Sequence, residues 1–527
     1  MGKLFLEIYS IEEDVIEAPI TTVICLTTIN FLRTENIEIN FVLKTNNDSG
    51  KLSFLLHNIV YKIIDKVPPP GSFCECPVFN YDDGISCVAG FCAILRQIVK
   101  CSDKSWSSLL GFRQACLDAC AEVSVWTKFC EIDLISAAEH CLENPPEYQL
   151  PNDLARLESH LSLPVRVHNV KKFKNQEHKY VEGPIFLLTD LLVAVPIYVI
   201  LEKLNCWDEN ILPLTIKWLH TVMEKHNFKK QLNLLIFERE NRVKLWNIVK
   251  LANESLYKRD PARYKPRHKI FTQQVDIDKS MALISKINLF EYKEPLESNL
   301  SLGSDVPCPD VPLSRCERKM QQLLNLVKPT ICVSKNGDVI VDFCSGSGHL
   351  GIMIAHFLPN STIILLDNKE NSLKRAKERI NALKITNVYI IQANLDYYIG
   401  QFQTGVSLHA CGVATDLVIQ KCIQQRANFI ICPCCYGGIK ENHIVKYPLS
   451  KEYEYAGLDE RGFIVLAHCA DQAGCEQGEQ GMKAVDTDRC FRACNKGYNV
   501  NLSKLIPVTC TTRNNLIIAT IPNEICK

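Results

Sequence analysis

The sequence predicts a multidomain α/β protein, with a Rossmann-like, doubly wound sheet from Ser314 to the end, behind a small α/β unit and an all-helical region. Three observations predict it. Beyond Leu313, short apolar runs alternate with helical patterns, DVIVDFC, GHLGIMIAHFL, STIILLD, SLKRAKERINALK and VYIIQAN, the signature of βαβ units on a parallel sheet. From Trp106 to about Tyr257, apolar positions recur at helical spacing with no convincing strands between them. The 527 residues also exceed what one core usually holds, since domains run to roughly 100–200 residues.

Residues 1–105 come first. β-branched runs such as TTVICLTTI and INFVL read as strand-like, PPPGSFCECPVFNYDDG is turn-rich, and VAGFCAILRQIVK has a short helical pattern. Residues 106–257 form the helical region, carried by RQACLDACAEVSVWTKFCEIDLISAAEH and PLTIKWLHTVMEKH. Its most apolar run, Ile185 to Leu201, contains Asp190 and Pro196 and falls short of the roughly 20 residues a bilayer needs, so it reads as a buried helix with no membrane partner. Residues 258–313 read as a linker, since LESNLSLGSDVPCPDVPL is rich in Ser, Pro and Asp. Within it, KRDPARYKPRHK sets Tyr264 among Lys258, Arg259, Arg263, Lys265, Arg267, His268 and Lys269. Such a run could track a phosphate backbone, but more often it is a solvated linker. Residues 314–527 carry the sheet.

Composition sets outer bounds. Hydrophobic residues at 47% and charged residues at 22% exclude a largely disordered chain. Lys plus Arg (59) balances Asp plus Glu (59), so the whole-chain field points to no polyanionic partner, and any nucleic-acid site has to be local. The opening MGKLFLEIYSIEED breaks its apolar stretch with acidic residues, and Leu6 stands where a myristoylation signal wants Ser or Thr; neither secretion nor lipidation is expected. A cytoplasmic location follows as the expectation, and with it reduced thiols for the 26 cysteines.

The strand VIVDFC runs into SGSGHLGIMIA, placing a glycine-rich turn between strand and helix. Gly346 and Gly348 allow a tight turn and close approach to a ligand, and the helix N-terminus behind them offers free N–H groups. The next strand ends in Asp367, where a carboxylate can accept from two ribose hydroxyls. The third ends in Asn394, near Asp396, where an amide or carboxylate could read an adenine edge. Three polar strand ends thus meet at the carboxyl edge of the sheet, where open α/β sheets bind ligands. A nicotinamide or flavin site would normally bring G-x-G-x-x-G, whereas the turn here reads CSGSGH. It resembles the class I methyltransferase pattern D-x-G-x-G-x-G, with Asp342 as the acidic member and Cys344 in place of the first Gly. That resemblance implies S-adenosylmethionine as cofactor, held by Asp342, Cys344, Gly346, Gly348, Asp367 and Asn394.

The fourth strand, VSLHACG, leads into VATDLVIQ, where Thr415 could cap a helix and Asp416 would favour its N-terminus; the fifth reads NFIICPCCYGG. This order brings His409, Cys411, Cys434, Cys435 and Tyr436 to the cofactor's edge, and His409, Cys411, Cys435 and Tyr436 are the candidate catalytic residues. His409 could serve as general base. One cysteine could be a nucleophile, as in enzymes that methylate pyrimidine carbon. Zinc could bind the Cys and His side chains, although two tight pairs far apart form no recognised finger spacing, and no metal ligand is assigned. Cysteine also packs as a small apolar residue in cores. Cys469, Cys475, Cys490 and Cys494 are too irregularly spaced to suggest a metal. There is no Asn-Pro-Pro-Tyr tetrapeptide after the fourth strand, so the acceptor atom stays open.

SLHACGVATDLVI, CPCCYGGI, VDTDRCFRAC and CTTRNNLIIATIP resemble the glutathione S-transferase C-terminal domain-containing protein family, over nearly the whole chain. The HACG and PCCY elements are also similar to segments in methyltransferase-like proteins that include a tRNA ribose methyltransferase family, which makes RNA an expected acceptor, with protein as the other class. The resemblance implies that the front half is a transferase-like module, a degenerate thioredoxin-like unit ahead of an all-helical one, with Pro77 as its cis-proline. Where active transferases place an acidic or amide residue and a Ser to hold the γ-glutamyl group, this sequence has Gly90 and Phe91; its LLTD keeps Asp190 of an N-capping Ser-x-x-Asp but has Leu187 for Ser. A non-catalytic docking or self-association module is therefore expected there. Two alternatives stand beside the methyltransferase reading: a cofactor-binding scaffold without turnover, and a glutathione-using enzyme, against which Phe91 argues.

Overall fold

The structure is a computed structural model that describes residues 2–44, 50–165, 176–239, 245–249, 256, 273–296, 306–472 and 474–522. It divides into two compact units, Met1–Asp260 and Pro261–Lys527. The basic run around Tyr264 lies outside the described residues, as do residues 297–305 of LESNLSLGSDVPCPDVPL.

In the first unit, β1 (Gly2–Ile8), α1 (Ile20–Leu32) and β2 (Ile37–Leu43) form a βαβ unit with β1 and β2 parallel. Strand β3 (Tyr61–Ile64) adds parallel to β2, and β4 (Val78–Tyr81) and β5 (Ser86–Ala89) follow as an antiparallel hairpin with β4 against β1. The Cys76–Pro77 bond that leads into β4 is cis, as the thioredoxin-like reading expects of Pro77. A second small sheet pairs Ser10–Glu12, Val15–Ala18, Leu52–Leu55 and Leu235–Ile236.

TTVICLTTI is not a strand; it lies inside α1. Its β-branched residues are buried on almost every side, so burial overrides local preference. Thr27 and Thr28 donate their hydroxyls to the carbonyls of Val23 and Ile24 one turn back, at 2.7 and 2.8 Å, which lets a threonine sit dry in a helix. Helix α2 (Phe91–Cys101) starts at Gly90 with Phe91 buried, and Cys92 N–H donates to the carboxylate of the chain's own Glu131 at 3.3 Å.

The helical part comprises α3 (Leu134–Glu143), α4 (Asn152–Ser162), α5 (Leu188–Lys203) and α6 (Pro213–Lys225). Residues 113–124, read as helical, are largely irregular instead, with Arg113, Gln114 and Leu117 all at positive φ. Leu187 stands at the start of α5 without a side-chain acceptor. Asp190 compensates: Oδ2 accepts from Leu187 N–H at 2.8 Å, and Oδ1 from Val181 N–H at 3.0 Å and Trp218 Nε1 at 2.9 Å. Among the described residues no helix is long and apolar enough to cross a membrane.

The second unit begins, within the stretch read as linker, with α7 (Gln274–Ile284), which packs against α12 (Glu460–Ala470) through Ile277, Val465 and Cys469. Downstream of it Tyr292 Oη donates to Asn515 Oδ1 at 3.1 Å, so residues 274–292 belong to this unit's packing. After α8 (Leu313–Val333), strands and helices alternate: β6 (Val339–Phe343), α9 (His349–Phe357), β7 (Thr362–Asp367), α10 (Glu370–Leu383), β8 (Val388–Gln392), β9 (Thr404–Cys411), α11 (Val413–Gln425) and β10 (Asn428–Cys434). Helix α13 (Glu476–Cys494) follows α12, and β11 (Asn499–Lys504) and β12 (Asn515–Thr520) close the sheet. Strands β8, β7, β6, β9 and β10 run parallel in that order; β12 adds antiparallel to β10, and β11 antiparallel to β12. The order reverses at β6, which has β7 on one side and β9 on the other, and a doubly wound sheet opens its ligand crevice at such a switch point.

Candidate functional site

The chain leaves β6 through Cys344, Gly346 and Gly348, at φ +56, +55 and +69. Side chains rarely adopt such angles, which explains why glycine is usual where Cys344 stands. A Cβ on Gly348 would lie 2.7 Å from Leu365 Cδ1, so this glycine is needed for helix–strand contact, whereas one on Gly346 would meet nothing within 4 Å. Asp342 is buried; its Oδ2 accepts from Gly351 N–H at 2.8 Å, and burial pushes its carboxyl up to about 7. It braces the turn from beneath. Asp367 stands at the rim, its Oδ2 accepting from Gly346 N–H at 2.9 Å and its Oδ1 from Lys369 N–H at 2.8 Å. Asn394, beyond the adjoining strand β8, accepts from Asn368 Nδ2 at 3.4 Å.

Across the switch point β9 loses regular register between Leu408 and Cys411, and His409 takes φ +70. Such bulges re-aim side chains and recur beside active sites. His409 Nε2 is 3.1 Å from Gln322 Oε1 on α8; with that oxygen accepting, Nε2 carries the hydrogen and Nδ1 is the basic nitrogen. Burial, with the positive fields of Lys319 and Arg513 behind it, lowers the imidazole's pKa to about 4. It is neutral at physiological pH. Because an unfolded histidine takes a proton near 6.5 and the folded one does not until about 4, His409 contributes stability above 6.5 that is lost as pH falls towards 4, by about 1.4 kcal/mol per pH unit. Urea unfolding at pH 6.5 and 5 checks this: His409→Gln is expected to lose less stability over that interval than the wild type, and an equal loss would refute it.

Cys411, Cys434 and Cys435 converge, their sulfurs all within 4.8 Å of one another, in a group that does not include His409. Tyr436 does not join them. Cys435 at φ +51 turns the chain into a short 3₁₀ segment, and Tyr436 is fully buried with its hydroxyl donating to Asp486 Oδ2 at 2.7 Å. Its catalytic assignment is thereby corrected: a phenol sealed in the core and committed to a carboxylate cannot meet an acceptor. The same buried network joins Arg489 to Asp416 through Nε at 2.7 Å and Nη2 at 2.9 Å, and to Asp486 through Nη1 at 2.9 Å. Tyr447 Oη adds a bond to Asp416 at 2.6 Å, and Asn515 Nδ2 one to Asp486 at 2.7 Å. Asp416 is therefore a core anion at the start of α11, and Thr415 is no cap: Gly412 takes that position, and the Thr415 hydroxyl donates to the Ala410 carbonyl at 2.8 Å.

Three contributors escaped sequence reasoning. Lys319 and Gln322 lie one turn apart on α8, and burial lowers the Lys319 pKa against the attraction of Asp342. Their signal was polar residues on the inward stripe of an amphipathic helix. Gly351 is the third, since a Cβ there would stand 2.2 Å from Leu365 Cδ2 and 3.1 Å from Asp342 Oδ2.

Residues 315–442 match a family described as a methyltransferase domain. A glutathione S-transferase C-terminal domain-containing protein homolog of Drosophila melanogaster is 32% identical, the match covering 98% of this chain and 99% of the relative. The protein of that name from Mus musculus is 30% identical over 98% of each chain. A solved rRNA methylase from Streptococcus thermophilus is 14% identical over 41% of this chain and 99% of its own, with a TM-score of 0.22. With such identity over nearly the full length of both chains, the protein belongs to the glutathione S-transferase C-terminal domain-containing protein family and carries a methyltransferase domain in its second unit.

Proposed function

We propose that the second unit transfers a methyl group from S-adenosylmethionine to an acceptor at the carboxyl edge of β9 and β10. The observation that carries the reading is the bond from Gly346 N–H to Asp367 Oδ2, which joins the glycine turn and the acidic strand end into one polar rim at the switch point. The residues fit the cofactor: Asp367 would accept from the ribose hydroxyls, Asn394 would meet the adenine edge, and the turn from Cys344 to Gly348, open at Gly346, would accommodate the amino-acid end. When bound, the cofactor supplies an electrophilic methyl group on its sulfonium. The chain's task is then mainly alignment, and Nδ1 of neutral His409 is available to take the acceptor's proton. RNA is the first acceptor class to test, on the resemblance of the HACG and PCCY elements, and the front unit serves as a docking or self-association module.

Calorimetric titration of the full chain tests this. Saturable binding of S-adenosylmethionine and none of glutathione is expected, followed by transfer of labelled methyl from the cofactor to total RNA. No heat with S-adenosylmethionine would overturn the proposal.

A further inference from the structure

Three thiols meet where β9 and β10 end. Cys411 Sγ is 3.3 Å from Cys435 Sγ and 3.6 Å from Cys434 Sγ, and the last two are 3.6 Å apart. A disulfide needs about 2.05 Å, so no pair among them is bonded. A tetrahedral zinc ion, with Zn–S bonds of about 2.3 Å, spaces its thiolates about 3.8 Å apart, close to the triangle seen here. Simple core filling does not account for it, because Cys411 is exposed and Cys435 only half-buried.

The surroundings hold the triangle in place. Gly412 N–H donates to the Cys434 carbonyl at 3.1 Å, and a Cβ on Gly412 would lie 2.6 Å from the backbone of Gly438, so the loops after the two strands touch backbone to backbone. The left-handed turn at Cys435 brings two adjacent cysteines to face a third. Arg513, anchored on Asp471 Oδ1 at 3.0 Å, is close enough to feel the field of Cys434 and Cys435. A guanidinium there offsets the one negative charge left when three thiolates hold a dication.

We propose that Cys411, Cys434 and Cys435 form a three-thiolate zinc site whose fourth position is open to solvent or to a molecule entering the crevice. Three protein ligands and one open position distinguish reactive zinc sites from closed structural ones, and sulfur donors select soft metals. The site stands on geometry alone and does not depend on the methyltransferase reading.

Elemental analysis of the full chain, purified with reductant and without chelator, is expected to give stoichiometric zinc. Cys411→Ser and Cys435→Ser are each expected to lower zinc affinity more than tenfold against a chromophoric chelator. The double variant Cys308→Ser, Cys316→Ser, which removes a thiol pair elsewhere in the unit, keeps the metal. Cobalt added to reduced apoprotein gives thiolate-to-metal absorption. Absence of both zinc and the cobalt bands, or zinc that persists in both single variants, overturns the site. Cys411 is exposed, so Cys411→Ser decides the matter if a more buried variant fails to fold, and cofactor titration of the same variant keeps this result separate from the fate of the methyl-transfer proposal.

Discussion

Arg489→Met is expected to lower the unfolding free energy of the methyltransferase unit by about 3–5 kcal/mol, the cost of leaving buried charges without their partner. Arg489, Asp416 and Asp486 are all essentially without solvent exposure. Burial works against the guanidinium's charge, yet Asp416 and Asp486 hold its pKa well above the usual value. Methionine fills much of the space and supplies no donors, so Asp416 keeps only the Tyr447 bond among those described above, and Asp486 keeps Tyr436 and Asn515. Denaturant unfolding of the full chain, followed by a probe in this unit, checks the figure, and a loss below about 1 kcal/mol would show that the network is not essential to folding. The triple change Arg489→Met, Asp416→Asn, Asp486→Asn is expected to be less damaging than Arg489→Met alone, because it also removes the stranded charges.

Asp367→Ala is expected to weaken S-adenosylmethionine binding by about 100-fold or more. A carboxylate accepting from two ribose hydroxyls makes two charge-assisted bonds, each worth about 1.5–3 kcal/mol, and about 2.7 kcal/mol corresponds to 100-fold in Kd. The same substitution removes the acceptor for Gly346 N–H and Lys369 N–H, so a smaller fall in stability accompanies it. Gly346→Ala disturbs the same turn while leaving the Asp367 carboxylate in place: its positive φ is penalised, at about 1–2 kcal/mol, and its Cβ enters the space proposed for the amino-acid end, so it too is expected to weaken binding. Unchanged affinity in Asp367→Ala, measured by the same calorimetry, would remove Asp367 from the cofactor site.

The alternating apolar runs and helical patterns after Leu313 made the parallel sheet legible, because βαβ units write their period directly into the sequence. Polar strand ends were legible for the same reason: Asp367 and Asn394 fall where the runs stop. What the sequence could not convey was side-chain direction at irregular backbone. The left-handed turn at Cys435 sends Tyr436 into the core, and the bulge in β9 turns His409 towards Gln322 rather than towards the thiols. Segments that carried the family resemblance, VDTDRCFRAC and CTTRNNLIIATIP, supply Asp486, Arg489 and Asn515, which are packing residues. TTVICLTTI failed as a strand signal because its surroundings bury it all round, which no local preference reports. The linker reading failed at α7 because that helix hides only a narrow apolar stripe of Ile277, Met281 and Ile284.

Strand β12 lies between β10 and β11, although it follows both in the chain. During synthesis, therefore, β10 waits with one backbone edge unpaired until residues nearly ninety positions later have emerged, as the pairing of Ile430 with Ile518 shows. Exposed edges of this kind invite pairing with other chains, so a nascent or truncated protein lacking Asn515–Thr520 is expected to be a substrate for chaperones or to aggregate rather than to fold as a smaller version of the unit.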